Sequence, residues 1–166
     1  EGGILVVDGT KLRFSHPLLA AVVYESGLPS EQRAAHLRLA DEALDTDERA
    51  FHLSRGTVGP DEAMASTLER AAVSVAARGD PRRAAELARA AERLTPSGEG
   101  GALRRRRLAL TEYLVAVGDP GQARAMLEAM IADTAEGPER AALLWRLADT
   151  IGDTLDEPIA LCERAL

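Results

Sequence analysis

Three histidines, a single cysteine and a run of four arginines are the side chains of this sequence with chemistry beyond packing. His36 and His52 fall on separate expected helices and no His-Glu-x-x-His pairing occurs, so a zinc site has no spacing to rest on. Cys162 has no base near it to activate it as a nucleophile, and a lone cysteine excludes an internal disulfide and a four-cysteine zinc site. It agrees with a reducing compartment. Arg104-Arg105-Arg106-Arg107 lies near an expected helix N-terminus, where cations are disfavoured. Four successive helical residues cannot share one face, so their charge must be met by Glu99, by a neighbouring acidic helix or by an anionic partner. The reading adopted is a solvated first turn with local ion pairs.

The elements that would position these groups are mostly helices. Gly79-Asp80-Pro81 recurs as Gly118-Asp119-Pro120, a spacing of 39 residues, and each copy is flanked by Arg/Ala/Leu-rich helical stretches. Gly can end a helix in the left-handed region, Asp can cap the next, and Pro at the first helical position loses no hydrogen bond. A period of this length means stacked helical hairpins, an architecture that binds more often than it catalyses. In the first unit Leu68, Ala71, Ala72 and Val75 form one stripe and Ala84, Ala88 and Ala91 the next, closing at Pro96. The second has Leu110, Thr111 and Leu114, then Ala123, Leu127 and Met130. A degenerate third has Leu144, Leu147, Ala148 and Ile151, a turn at Gly152-Asp153, then Ile159, Leu161 and Leu166 after Pro158. Trp145 and Met126 fall on helical stripes and read as packing residues.

Ahead of the repeats, Ile4-Leu5-Val6-Val7 and Lys11-Leu12-Arg13-Phe14 read as two strands joined by an Asp8-Gly9-Thr10 turn. Ser15 or His16 can cap the helix that follows, with Pro17 in its first turn and Leu18, Leu19, Val22 and Val23 as its apolar stripe, before Gly27-Leu28-Pro29 breaks it. Two strands and one helix cannot make an independent core. Ser30 is expected to cap a helix carrying Leu37, Ala40 and Leu44 on one face. Thr46-Asp47-Glu48 opens a shorter helix to Gly56, and Pro60-Asp61-Glu62 starts the next with acids suited to the helix dipole.

The chain of 166 residues is long enough to bury a substantial core. Its net charge of −7 and pI near 5.0 argue against coating DNA, which needs a concentrated basic face. No apolar run approaches the ~20 residues of a membrane span, and no signal peptide is evident. The sequence starts without Met and stops inside a helical pattern, so it reads as a piece of something longer.

The spacing, the small residues at helix crossings and the Pro after the second helix resemble the tetratricopeptide repeat over about 65–166. The first unit lacks the bulky aromatic and the mid-helix glycine of that family, with Ala72 in the glycine's place. Arg13-Phe14-Ser15-His16-Pro17-Leu18-Leu19 with Tyr24, the stretch from Glu31 to Ala40, and Pro60-Asp61-Glu62 resemble large ATP-binding regulators of the LuxR family. In that family a STAND-class ATPase ends in a winged helix, a tetratricopeptide-like sensor follows, and a helix-turn-helix closes the protein. The resemblance implies a mainly α chain: residues 1–26 as a winged-helix remnant, 27–64 as connecting helices, and 65–166 as a right-handed stack of repeats.

It also implies a role. The segment would be a cytoplasmic sensor and coupling piece, with ATP or ADP and Mg bound elsewhere in the longer protein and no cofactor of its own. Neither a phosphate-binding Gly-x-x-x-x-Gly-Lys motif nor a DNA-reading helix occurs here, so the segment itself is expected to be no enzyme and to make no direct DNA contact. His16 corresponds to a histidine that in related STAND ATPases touches the ADP β-phosphate, and an imidazole N–H beside a helix N-terminus suits a phosphate; the plainer alternative is a cap residue. Partners would be the protein's own ATPase domain and a protein or small-molecule effector. As in tetratricopeptide proteins, Glu69, Val73, Arg105, Glu112 and Arg146 are expected to face the inner groove that receives it. The competing reading is a tetratricopeptide adaptor with no nucleotide link, and a free-standing enzyme comes third.

Overall fold

The computed structural model describes residues 4–9 and 11–151. A two-stranded antiparallel hairpin, β1 (Leu5–Asp8) and β2 (Lys11–Phe14), precedes eight helices. These are α1 (Pro17–Ser26), α2 (Pro29–Glu42), α3 (Thr46–Gly56), α4 (Glu62–Ala77), α5 (Pro81–Leu94), α6 (Gly100–Ala116), α7 (Pro120–Ala132) and α8 (Pro138–Ile151). The chain is mainly helical, as expected. The strands pair from Leu5 with Phe14 to Asp8 with Lys11, and Gly9 takes a φ of 63° in the tight turn. The first strand therefore begins and ends one residue later than expected. Thr10, Gly152, Asp153, Pro158, Ile159, Leu161, Cys162 and Leu166 lie outside the described residues.

The two Gly-Asp-Pro turns are built alike. Gly79 and Gly118 have φ of 87° and 83°. Each ends its helix in a Schellman motif: Gly79 N–H donates to Ala76 O (2.9 Å) and Asp80 N–H to Val75 O (3.3 Å), matched by Gly118 to Val115 (3.0 Å) and Asp119 to Leu114 (2.9 Å). The same aspartates start the next helix, Asp80 Oδ1 accepting from Arg83 N–H and Asp119 Oδ1 from Gln122 N–H, with Pro81 and Pro120 in the first turn.

Packing follows chain order. α2 packs on α3, α3 on α4 and α5, and then α4 on α5, α5 on α6, α6 on α7 and α7 on α8. Every stripe residue assigned to the first two units is buried, as are Leu144, Leu147 and Ala148 on α8. Alanine supplies much of the interface between α4 and α5, where Ala65, Ala72, Ala84, Ala88 and Ala91 let the backbones approach closely around Leu68, Leu87 and Leu94.

Four local expectations need correction. α2 starts at Pro29, not after a Ser30 cap: Leu28 is the N-cap, and its N–H is taken by the Glu31 carboxylate at 3.0 Å. Leu44 does not join the apolar face of α2, because the helix stops at Glu42 and Leu44 projects from the connection, fully exposed. Leu37 meets Gly56 of α3 yet stays 41% exposed, and only Ala40 of α2 is buried. Trp145 is 60% exposed, since the buried stripe of α8 runs through Leu143, Leu144 and Leu147 instead.

The α2–α3 contact is tight at one point. A Cβ on buried Gly56 would stand 2.7 Å from Leu37 Cγ and 3.2 Å from Leu37 N, and backbone cannot yield as a side chain can. Gly56→Ala is thus expected to destabilise the fold by about 1–3 kcal/mol of overpacking, despite the roughly 1 kcal/mol of helix propensity it gains. A urea titration showing Gly56→Ala at or above wild-type stability would contradict this contact.

Candidate functional site

The helices on one side of the stack carry a ladder of charge. Glu69 on α4 accepts from Arg105 on α6 at 2.6 Å (Nε) and 3.1 Å (Nη2), and one level on Glu112 of α6 pairs with Arg146 of α8. Arg104 reaches across to Glu139 of α8 at 2.7 Å. Four of the expected groove residues therefore lie together on α4, α6 and α8, engaged with one another across neighbouring hairpins. Val73, one turn after Glu69, is 56% exposed.

Beneath this ladder sits what the sequence reading missed. Arg106 is 1% exposed. Its Nη1 donates to Glu62 Oε2 (2.8 Å) and Thr95 Oγ1 (2.7 Å), its Nη2 to Glu62 Oε1 (2.6 Å) and its Nε to Glu69 Oε2 (2.9 Å). The bidentate Glu62 contact has the geometry in which Arg pairs are strongest. Arg107 turns the other way, to Glu92 of α5 at 2.8 Å. The arginine run is not a solvated first turn: its members diverge around α6 to reach α8, α4 and α5. Glu99, the N-cap of α6, makes no side-chain cap bond.

These contacts hold both carboxylates in the ionised form. Glu62 is shifted below the usual glutamate range chiefly by its hydrogen bonds from Arg106, and Glu69 chiefly by Arg105, with Arg106 adding to it. Only the presence of acids at 62, 69, 92 and 139, all more than ten residues from the run, could have signalled this arrangement, and nothing local pairs them with it.

A second polar cluster joins the N-terminal helix to the stack. Tyr24 Oη on α1 lies 3.0 Å from His36 Nε2 on α2, and His36 Nδ1 lies 2.9 Å from His52 Nδ1 on α3. Phe51 meets both imidazoles edge-on, with the Arg83 guanidinium over its ring at 4.7 Å and that of Arg55 at 5.5 Å. A hydrogen bond between two Nδ1 atoms holds one proton, so the pair cannot be doubly protonated without breaking it. Burial, then the charges of His52 and Arg55, push His36 below the usual histidine value. A group that binds protons less readily when folded costs stability on acidification. Stability should be full above about pH 6.5, the ordinary histidine value, and fall as pH drops towards the lowered folded value. The urea midpoint is accordingly expected to be lower at pH 5 than at pH 7.5, with the difference reduced in His36→Gln; an equal difference in that variant would remove the pair as its cause.

His16 is the N-cap of α1, and its Nδ1 accepts from Leu18 N–H at 3.2 Å. That use of Nδ1 fixes the neutral tautomer with the proton on Nε2, leaving a donor at the helix N-terminus. The structure thus brings together Glu69, Arg105, Glu112 and Arg146 while leaving His16 at the far end, on an element of its own. Among the described residues no group of three or more His, Cys, Asp or Glu could hold a metal ion, and no helix is long and apolar enough to cross a membrane. No family model, curated protein or solved structure matches the chain.

Proposed function

We propose that the chain is the sensor and coupling segment of a cytoplasmic, ATP-dependent transcription regulator resembling the LuxR family. Its tetratricopeptide-like hairpins receive an effector or protein partner on the α4–α6–α8 face, and the hairpin with α1 couples that event to the protein's own ATPase domain. The observation that carries this reading is the state of α1. None of its residues is buried, and Leu18, Val22 and Val23 are 68%, 61% and 52% exposed. With Leu5, Val6 and Val7 also exposed, the element presents an apolar surface of the kind that marks an interaction site. A plain repeat adaptor has no use for such an element ahead of its repeats. The free Nε2–H of His16 suits a nucleotide phosphate docked at the start of α1. Effector binding would favour one of two states of the longer protein, and the junction at α1 and α2 would transmit the shift.

The test is an ADP titration of a longer polypeptide containing this segment, beside its His16→Ala variant. Tight ADP binding that weakens in the variant is expected; no nucleotide binding at all would leave the adaptor reading. The groove is tested separately. Arg105→Glu with Arg146→Glu should abolish effector response while the domain stays folded, because both arginines lie at the exposed side of their pairs and Glu69 keeps its bond from buried Arg106. Full response in the double variant would reject the α4–α6–α8 face.

A further inference from the structure

A groove of about 650 Å³ lies between α3 and α4, away from the charge ladder. Its volume falls in the range that encloses one small molecule. Ala50, Leu53 and Ala71 give it an apolar floor, with Ala50 and Ala71 buried. Arg49, Arg70 and Arg78 stand around it together with the hydroxyls of Thr46, Thr67 and Ser74.

The charges on its walls are unequally satisfied. Asp47 is ion-paired with Arg78, and Asp45 caps α3 by accepting the N–H of Asp47 at 3.2 Å. Both acids are committed. Arg49, by contrast, has no side-chain partner among the described residues, and Arg70 donates only to the neutral hydroxyls of Ser66 (3.1 Å) and Thr67 (3.2 Å) on its own helix. Two guanidiniums on facing helices are therefore left without a carboxylate above an apolar floor.

We infer that this groove binds a small organic anion, its carboxylate or phosphate group held between Arg49 and Arg70 and its apolar body on Ala50, Leu53 and Ala71. The site goes beyond the α4–α6–α8 face and does not depend on it. A ligand there bridges the helices ahead of the repeats to the first repeat, because Arg49 belongs to α3 and Arg70 to α4.

Calorimetric titration of the chain with hexanoate and with phenyl phosphate tests it, with inorganic phosphate as the anion lacking a body. Saturable binding of at least one organic anion is expected, and the one that binds tighter identifies the head group as carboxylate or phosphate ester. In Arg49→Gln with Arg70→Gln the affinity should fall at least about tenfold, as expected for losing charged hydrogen bonds. Arg82→Gln, an exposed arginine of α5 outside the groove, should bind as wild type. Among the described residues neither altered side chain makes a hydrogen bond or ion pair to another helix, so the double variant should keep the wild-type circular dichroism spectrum. Absence of saturable binding by both organic anions, undiminished binding by the folded double variant, or inorganic phosphate binding as tightly as phenyl phosphate would each overturn the proposal.

Discussion

Arg106→Ala is expected to destabilise the chain by about 3 kcal/mol, at the lower end of what breaking a buried ion pair costs. The reason lies in what stays behind. Removal of the guanidinium strips Glu62 of a bidentate partner, Glu69 of one of its two arginines and Thr95 of its donor. Glu62 and Glu69 are 38% and 20% exposed, so water can recover part of their solvation, which keeps the loss from the top of the range. Arg106→Lys should recover little, since one ammonium cannot reproduce a planar fork directed at two carboxylates. The wild type should also lose stability in acid through the same residues. Both glutamates have lowered folded pKa values, so their contribution is complete above the ordinary glutamate range near 4.3 and disappears as pH falls through the folded values. Loss through the glutamates begins at lower pH than loss through His36, and urea midpoints measured from pH 8 to pH 3 in the wild type and in His36→Gln should separate the two contributions. An Arg106→Ala chain with unchanged midpoint would show that the network contributes no stability.

Leu68→Ala is expected to cost about 4 kcal/mol, towards the upper part of the 2–5 kcal/mol range for such truncations. Leu68 has no exposed surface and packs in the α4–α5 core. What distinguishes this site is the neighbourhood, in which Ala65, Ala72, Ala84, Ala88 and Ala91 line the same cluster. The cost of a cavity depends on how far the surroundings collapse into it, and a methyl group has no rotamer with which to reach inward. The void should therefore persist. Denaturant unfolding gives the loss directly, and a value below about 2 kcal/mol would mean that α4 and α5 slide together to close the gap.

Much of the fold was legible because it is specified locally. The Gly-Asp-Pro turns carry their own chemistry, with a left-handed glycine, a capping carboxylate and a proline at the first helical position, and they form as expected. The stripes of α4 to α7 were legible for a related reason: a helical period maps sequence directly onto a buried face. Expectations failed where the answer depended on distant residues or on where a helix stops. Leu44 continues the pattern of α2 by spacing, but the helix ends before it. Trp145 is the largest side chain of its segment, yet the leucines beside it occupy the buried side. Arg106 needs carboxylates from α4 to be tolerated in a core, and His36 needs His52 from another helix. Neither partnership is encoded in spacing. Glu69, Arg105, Glu112 and Arg146 were read as facing one surface, but their mutual pairing became visible only when α4, α6 and α8 were stacked.

The paired Schellman turns have a wider consequence. Each reverses the chain with three consecutive residues, backbone bonds and one aspartate cap that close within eight positions, so neither borrows its shape from the packing around it. A joint of that kind works as a self-contained connector. A 39-residue unit cut from Gly79 to Val117 carries Gly-Asp-Pro at its front and, at its back, the Leu114 and Val115 carbonyls that such a turn uses, so tandem copies would complete each bend at the junction. The length of such an array becomes a heritable variable separate from its fold, changed by duplication while the surface offered to a partner grows in steps of one hairpin.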